Sequence, residues 1–449
     1  MSTGFSFDQA RCTGCQACML ACTIENGLAY DDSWRTVYTF NERHLTDLPV
    51  SHLSLACNHC ERPACLIACP ANAYSKDAVS GFVLLDENRC IGCRYCTWAC
   101  PYGAPAFNRE TGVVAKCTFC DERQAQGLVP ACVEACPTGA LGIADRPESR
   151  SFNPVPGFPA TDLGPAISFE PAANTRSAPE LTTAPSTPID PANIPDQSQL
   201  SLTSEWPLVA FTYLTSLLVA ILAFSAVGGQ MFPAFGFVGI SAVAMLLSTT
   251  HLGRKMRAWQ AILNPTQSWL SREIVLFTLL ASAGTAYLVL APTSKIAGAF
   301  AVAIGILTLA SIDRVYASLP LVGRHRFHSA GTAITGLLLT AVLLASPLAA
   351  TLTGAVKFIL YLRRKVEYNA AGKPVRVGLS LIRILFGFAV PIVVWMLLGG
   401  NGLAVVIAAV MLGELVDRLE FYLELEVVTP AGQMAIDLQK TFAASRPST

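Results

Sequence analysis

The chain has 449 residues, a formal charge of zero, and 14% charged against 52% hydrophobic residues, where soluble domains carry roughly 25% charged. That length allows at least two domains, the low charge density points to a membrane, and no nucleic-acid partner is expected. All 16 cysteines lie between Cys12 and Cys136, so the two parts of the chain differ in chemistry. The opening Met1-Ser-Thr-Gly-Phe-Ser-Phe has neither a basic and apolar leader pattern nor a twin arginine. The expectation is a chain without its own export address, with thiols that serve metal rather than a disulfide scaffold.

Residues 1–145 hold the cysteines in four quartets. Cys12, Cys15, Cys18 and Cys22 come first, then Cys57, Cys60, Cys65 and Cys69. Cys90, Cys93, Cys96 and Cys100 are third; Cys117, Cys120, Cys132 and Cys136 are fourth, and a proline follows each of the last three quartets. The third quartet spells C-x2-C-x2-C-x3-C-P, the run that ligates [4Fe–4S] clusters, whose fourth cysteine serves a neighbouring cluster. Zinc ribbons use two C-x2-C pairs instead. Exchange of fourth ligands predicts an inner ferredoxin from quartets two and three, inserted in an outer one from quartets one and four. The expected sets are Cys12, Cys15, Cys18 and Cys136; Cys117, Cys120, Cys132 and Cys22; Cys57, Cys60, Cys65 and Cys100; and Cys90, Cys93, Cys96 and Cys69. Gly81-Phe-Val-Leu-Leu-Asp-Glu and Gly139-Ala-Leu-Gly-Ile read as short strands of ferredoxin halves.

On Cys57-Asn-His-Cys60-Glu-Arg-Pro-Ala-Cys65, Cys90-Ile-Gly-Cys-Arg-Tyr-Cys96 and Cys100-Pro-Tyr-Gly-Ala-Pro105, residues 5–145 resemble a known subunit. It is the four-cluster electron-transfer subunit of the dimethyl sulfoxide reductase family, within the complex iron–sulfur molybdoenzymes. Some members replace a third-quartet cysteine by tryptophan and hold a [3Fe–4S] cluster there. Cys93 is present, so the resemblance implies four [4Fe–4S] clusters. His59 either hydrogen-bonds a cluster or packs beside it.

Residues 146–204 are proline-rich and read as an extended linker, although Ile167 to Arg176 resembles the C-terminal tail of the same subunit. Residues 205–425 read as about eight membrane helices. Two lie in 206–250, broken at Gly228 to Pro233; the others are 273–291, 296–316, 327–346, 347–363, 377–398 and 401–422. Residues 426–449 read as a C-terminal tail. The expected fold class is thus an α+β double ferredoxin-like iron–sulfur domain followed by an all-α polytopic membrane bundle.

Lysine and arginine sort the loops between these spans. Arg254, Lys255, Arg257 and Arg272 follow span two, Arg314, Arg324 and Arg326 span four, and Arg363, Arg364, Lys365, Lys373 and Arg376 span six; the opposite loops hold only Lys295. By the positive-inside rule the iron–sulfur domain is expected in the cytoplasm, on a bacterial inner membrane. Residues 205–425 resemble the eight-helix anchor of the same family on Glu205-Trp-Pro-Leu-Val-Ala-Phe, His251-Leu-Gly, Leu270-Ser-Arg-Glu273-Ile and Gly413-Glu-Leu-Val-Asp-Arg418. That resemblance implies a quinone site, for menaquinone or ubiquinone, at His251 and Glu273. The chemistry suits it, because quinol oxidation releases protons that a histidine or a carboxylate can take. Arg257 is a candidate second partner. Asp313 with Arg314 and Glu414 with Arg418 read as structural ion pairs, and Arg383 must face protein or water. Haem is not expected, since it usually takes two axial histidines from helices. Only His251, His325 and His328 lie in this half, and the last two share one loop.

No nucleotide fingerprint, nucleophile constellation or pterin site is legible. The expected role is electron transfer between membrane quinone and a separate catalytic subunit, which the resemblance makes a molybdenum or tungsten bis-pterin oxidoreductase. A cytoplasmic partner would make sulfite dehydrogenase the first expectation, with sulfite feeding quinone. A reductase of S-oxides, polysulfide or tetrathionate is the alternative, and a ferredoxin–quinone conduit without molybdenum a third.

Overall fold

The computed structural model describes residues 3–29, 32–42, 48–145, 155–170, 202–321, 328–370 and 373–444. Most of the proline-rich linker, the tip of the fifth expected span, His325, Arg324 and Arg326 lie outside the described residues. The chain divides into two compact units, 1–197 joined by 427–449, and 198–426.

The first unit is built from very short elements. Strand β1 (Thr3–Phe7) leads into helix α1 (Ala17–Glu25), and β2 (Thr36–Phe40) pairs antiparallel with β3 (Ser51–Leu55). Then come α2 (Ala64–Ala68), the hairpin β4 (Tyr74–Lys76) with β5 (Val83–Leu85), α3 (Tyr95–Ala99), and the hairpin β6 (Ala106–Asn108) with β7 (Val113–Ala115). Helices α4 (Asp121–Ala125) and α5 (Ala131–Glu134) precede β8 (Leu141–Asp145), and β9 (Ile167–Phe169) follows. β8 pairs antiparallel and β9 parallel with β1, giving the order β8-β1-β9. The strand before the first quartet therefore lies beside the strand after the last. Each helix starts within or just after a cysteine loop, where the backbone must turn sharply. Gly14 shows why: its φ is +68°, and a Cβ there would lie 2.5 Å from the His52 ring. Phe5, Phe7, Leu53, Phe119 and Ile167 fill the core between the loops.

The second unit is helical throughout. It contains α6 (Leu202–Gly228), α7 (Ala234–Thr250), a 3₁₀ segment (Lys255–Ile262), α8 (Trp269–Leu290), α9 (Lys295–Ala317), α10 (Thr332–Leu343) and α11 (Pro347–Ala370). A hairpin closes it: α12 (Val377–Ile384) and α13 (Val390–Leu398), joined by a π turn (Leu385–Ala389), fold back on α14 (Leu403–Glu424). Pro391 accounts for the π turn, because its missing N–H and its ring loosen the preceding turn of helix. At the crossing the two backbones touch: a Cβ on Gly413 would lie 2.4 Å from the Gly387 Cα.

The expected eight spans are not met. Among the described residues four stretches are long and apolar enough to cross a membrane, Glu205–Gly228, Trp269–Leu290, Lys295–Ala317 and the 48-residue hairpin Val377–Glu424. The bent pair of α7 and the 3₁₀ segment, which meet at 108°, would make a fifth. The fifth and sixth expected spans fail for different reasons. α10 has 12 residues, so it covers about 18 Å at a rise of ~1.5 Å per residue, against a hydrocarbon core of roughly 30 Å. α11 has 24 residues but carries Lys357, Arg363, Arg364, Lys365 and Glu367.

The expected C-terminal tail also differs. Residues after 426 form α15 (Pro430–Ala444), which packs beside β2 in the first unit. Met434 is buried in that unit's core and touches Gly157, whose N–H donates to Asp437. Met434→Ala is expected to cost the iron–sulfur unit about 2–4 kcal/mol. It should appear as an earlier thermal bleaching of the visible iron–sulfur absorbance, with the helical signal of the membrane unit unchanged.

Candidate functional site

None of the sixteen cysteines of the first unit is in a disulfide, and eleven of them are buried. They gather by fours around cavities. Cys57, Cys60, Cys65 and Cys100 line one, Cys22, Cys117, Cys120 and Cys132 a second, and Cys12, Cys15, Cys18 and Cys136 a third. Cys69, Cys90, Cys93 and Cys96 lie within electrostatic reach of one another. Each cavity draws one cysteine from a stretch far from its other three. Cys18 sits in the first turn of α1 and Cys22 one turn on, so a single helix serves two cavities. Cys69 and Cys100 leave their helices in extended backbone, which turns each away from its own loop.

This donor set suits iron–sulfur clusters. Among the described residues no three His, Cys, Asp or Glu side chains stand close enough to hold a single metal ion. Four thiols around one cavity fit a larger cube of several irons. Backbone N–H groups point at sulfur: Phe119 donates to Cys117 at 3.3 Å, Ala73 to Cys69 at 3.4 Å, Leu141 to Cys136 at 3.4 Å and Val114 to Cys90 at 3.5 Å. Such donors stabilise thiolate and set the potential of a cluster. Burial pushes both Cys22 and Cys100 up to about 11, so these two thiols resist ionisation when no metal is bound. Metal binding would have to draw off those protons.

His59, Lys116 and Arg35 are among the polar side chains buried beside these cavities. Val83 N–H donates to His59 Nδ1 at 3.0 Å, and the His59 ring meets Phe82 and Phe119 edge-on. Lys116 lines the Cys57 cavity and donates to the carbonyls of Val83 and Cys117. Arg35, 1% exposed, lines the Cys22 cavity. Neither cation announces itself in the sequence, since each is a lone charge beside a short strand.

In the second unit His251 ends α7, Arg257 lies half-buried on the 3₁₀ segment, and Glu273 is buried in the first turns of α8. Glu273 lies in the field of Arg418 and Asp313 and close to Tyr316 and Tyr422. Arg418 donates to Thr212 Oγ1 at 3.0 Å and to the Ala330 carbonyl at 2.8 Å, and its guanidinium packs 5.1–5.2 Å from the rings of Tyr316, Phe421 and Tyr422. The two tyrosine hydroxyls are hydrogen-bonded to each other. His328 stacks on Phe421 at 4.2 Å. Nothing in the sequence singles out the tyrosines, Arg418 or His328 for this site. They come from distant helix ends, and only the fold collects them.

The expected Glu414–Arg418 pair is replaced by a larger network. Glu414 meets Lys357 at 2.6 Å and Arg383 at 2.9 Å, Asp417 meets Arg364 at 3.0 Å, and Glu420 meets Lys365 at 2.9 Å. Glu424 closes it against Arg364 at 3.1 Å. Carboxylates three or four residues apart on one face of α14 thus meet Lys357, Arg364 and Lys365 from α11 and Arg383 from α12. Arg364 and Lys365, which read as loop charges in the sequence, are helical and engaged in these pairs. Asp313 does not turn to Arg314; its carboxylate caps α10, accepting from Thr332 N–H at 2.7 Å and Ala333 N–H at 3.1 Å. A cavity of about 500 Å³ in this unit is mainly apolar and lies elsewhere, lined by Phe358, Phe388, Trp395 and neighbours.

Two family models match the chain: a 4Fe-4S dicluster domain over residues 49–146 and the DMSO reductase anchor subunit over residues 202–364. An anaerobic dimethyl sulfoxide reductase polypeptide of Escherichia coli (strain K12) is 40% identical over 194 residues, which cover 40% of this chain and 93% of that one. A tetrathionate reductase subunit of Salmonella typhimurium is 42% identical over 146 residues, with 32% of this chain and 58% of that one covered. The thiosulfate reductase electron transfer subunit of Salmonella typhi matches at 40% over 147 residues, 32% of this chain and 76% of that one. These relatives are named as reductase subunits, so the sulfite dehydrogenase expectation, which followed from a cytoplasmic placement of the partner, finds no support.

Removing one member of the ion network strands its partners in a low-dielectric interior. Asp417→Ala is expected to cost about 3–5 kcal/mol, read as a lower thermal unfolding midpoint of the detergent-solubilised protein. Replacing exposed Arg363, paired with Glu367 on the surface of α11, should leave that midpoint where it is.

Proposed function

The protein belongs to the dimethyl sulfoxide reductase family, in which it joins the iron–sulfur subunit to the membrane anchor, and from that premise we propose that it carries electrons from membrane quinol to a separate molybdenum or tungsten bis-pterin reductase. The substrate class is an S-oxide or a sulfur oxyanion, by analogy with the relatives. The observation that carries this reading is the set of cysteine-lined cavities, each completed by a thiol from a distant loop. Four [4Fe–4S] clusters are assigned to the sets headed by Cys12, Cys117, Cys57 and Cys90, completed in turn by Cys136, Cys22, Cys100 and Cys69. Bound there, the clusters would supply a one-electron relay.

The quinol end of the path is assigned to Glu273 and His251, with Arg257 as a supporting cation. A quinol releases two protons with its two electrons, so its site needs acceptors. Glu273 beside Arg418, Tyr316 and Tyr422 offers a polar, buried cluster of that kind. The apolar cavity lined by Phe358 and Trp395 has no titratable side chain in its lining. The membrane is taken to be a bacterial inner membrane with the iron–sulfur unit on its cytoplasmic side.

The complex isolated from native membranes should contain about sixteen irons per copy of this chain, together with molybdenum or tungsten in a co-purifying subunit identifiable by mass spectrometry. Quinol oxidation driven by an S-oxide, tetrathionate or thiosulfate is the expected activity. Sulfite-driven quinone reduction with no reverse activity would overturn the direction, and absence of molybdenum and tungsten would overturn the partner. His251→Ala and Glu273→Gln are expected to slow quinol-linked turnover by roughly 10²-fold while the iron–sulfur EPR signals stay unchanged. Wild-type turnover in both variants would end that assignment.

A further inference from the structure

Arg35 is a guanidinium with no carboxylate partner among the described residues and almost no water, at 1% exposure. Its Nη1 donates to the Ser54 hydroxyl at 3.0 Å and, more weakly, to the Ser54 carbonyl at 3.4 Å. Its Cζ lies 4.5 Å from the centre of the Phe5 ring, and Nη2 has no hydrogen-bond partner among the described residues. A desolvated cation of this kind is costly to bury unless negative charge lies close by. Cys132, Cys18, Cys117 and Cys22 lie within its electrostatic reach, and as cluster ligands they would be thiolates.

Its position is specific. Arg35 lines the cavity of Cys22, Cys117, Cys120 and Cys132. Ser54 lines the neighbouring cavity of Cys12, Cys15, Cys18 and Cys136, and its Oγ lies 3.3 Å from Cys18 Sγ. With Arg35 donating to Ser54 Oγ, the Ser54 proton is left to point at Cys18 Sγ. A single path, Arg35 Nη1 to Ser54 Oγ to Cys18 Sγ, therefore crosses the wall between two cysteine sets.

We propose that Arg35 sets the reduction potentials of the two clusters assigned to these cavities, raising that of the Cys22 set directly and that of the Cys12 set through Ser54. The inference rests on the cluster assignment above. Reduction adds a negative charge to a cluster that already carries four thiolates. A fixed cation in a medium of low dielectric favours the reduced form, and hydrogen bonding to a ligating sulfur acts in the same direction. Arg35 is a positioning residue in this role, acting on potential rather than on substrate.

The test is an EPR-monitored redox titration of the intact complex carrying Arg35→Gln, Arg35→Lys or Ser54→Ala. Arg35→Gln should move two of the four cluster signals to lower potential and leave the other two in place. Arg35→Lys, which keeps the charge, should hold the Cys22-set signal near its wild-type potential. Ser54→Ala should lower one signal only. Unmoved potentials in Arg35→Gln with all four signals present would overturn the proposal. Should Arg35→Gln lose iron, Ser54→Ala decides: a single lowered signal supports the proposal and unmoved potentials reject it. Fewer than four cluster signals in the wild type would instead remove the assignment beneath it.

Discussion

The first unit depends on closing thiol sets across sequence distance. Its strands run three to five residues and most of its helices four or five, too short to be stable alone. What such pieces lack in local stability a shared set of ligands can provide, because metal binding to sites absent from the unfolded chain becomes folding free energy. The exchange of distal cysteines makes this effective. Cys136 reaches back to the loop of Cys12, and Cys22 reaches forward to that of Cys117, so two cavities tie the beginning of the unit to its end. The pairing of β1 with β8 closes the same interval by backbone hydrogen bonds. The inner sets, completed by Cys100 and Cys69, repeat the device on a shorter loop.

In the second unit the constraint is the opposite, since charge must be kept from an apolar medium. α11 and α14 solve it by matching stripes, Lys357, Arg364 and Lys365 against Glu414, Asp417, Glu420 and Glu424, with Arg383 from the facing limb of the hairpin. The close approach of Gly387 and Gly413 is what lets Arg383 reach across: a Cβ on Gly387 would lie 1.8 Å from its Nη1. The small residues at the crossing and the large buried cation are thus one feature. The network also explains how a helix with five charged side chains packs inside a membrane unit, since its three buried cations all face α14.

The iron–sulfur unit is legible in the sequence because ligand spacing is a local property. A C-x2-C-x2-C loop and a distal cysteine before proline constrain backbone and chemistry within about twelve residues, and the expected sets follow from one rule of exchange. The membrane unit is less legible because hydropathy records how apolar a stretch is and says nothing of where its charges point. The run Arg363-Arg364-Lys365 reads as a loop flanking a span, yet two of its members face inward to carboxylates more than 50 positions along the chain. Asp313 reads as the partner of its sequence neighbour Arg314 and instead caps a helix 19 positions away. Arg35 carries no motif at all. Its meaning comes from Ser54 and Cys18, which reach it only in the folded protein.

The return of the chain has a consequence for the fusion. The first unit is discontinuous, with the membrane unit inserted between residue 197 and residue 427, and α15 contributes Met434 to the iron–sulfur core. An anchor on a separate polypeptide must be held by its interface alone. Here two covalent crossings hold it, and the second is fixed by a buried side chain rather than by a loose tail. Linking two modules in this way keeps each at high effective concentration for the other without any new contact between them. Burial of Met434 means that the iron–sulfur unit cannot complete its core until the membrane unit has been synthesised.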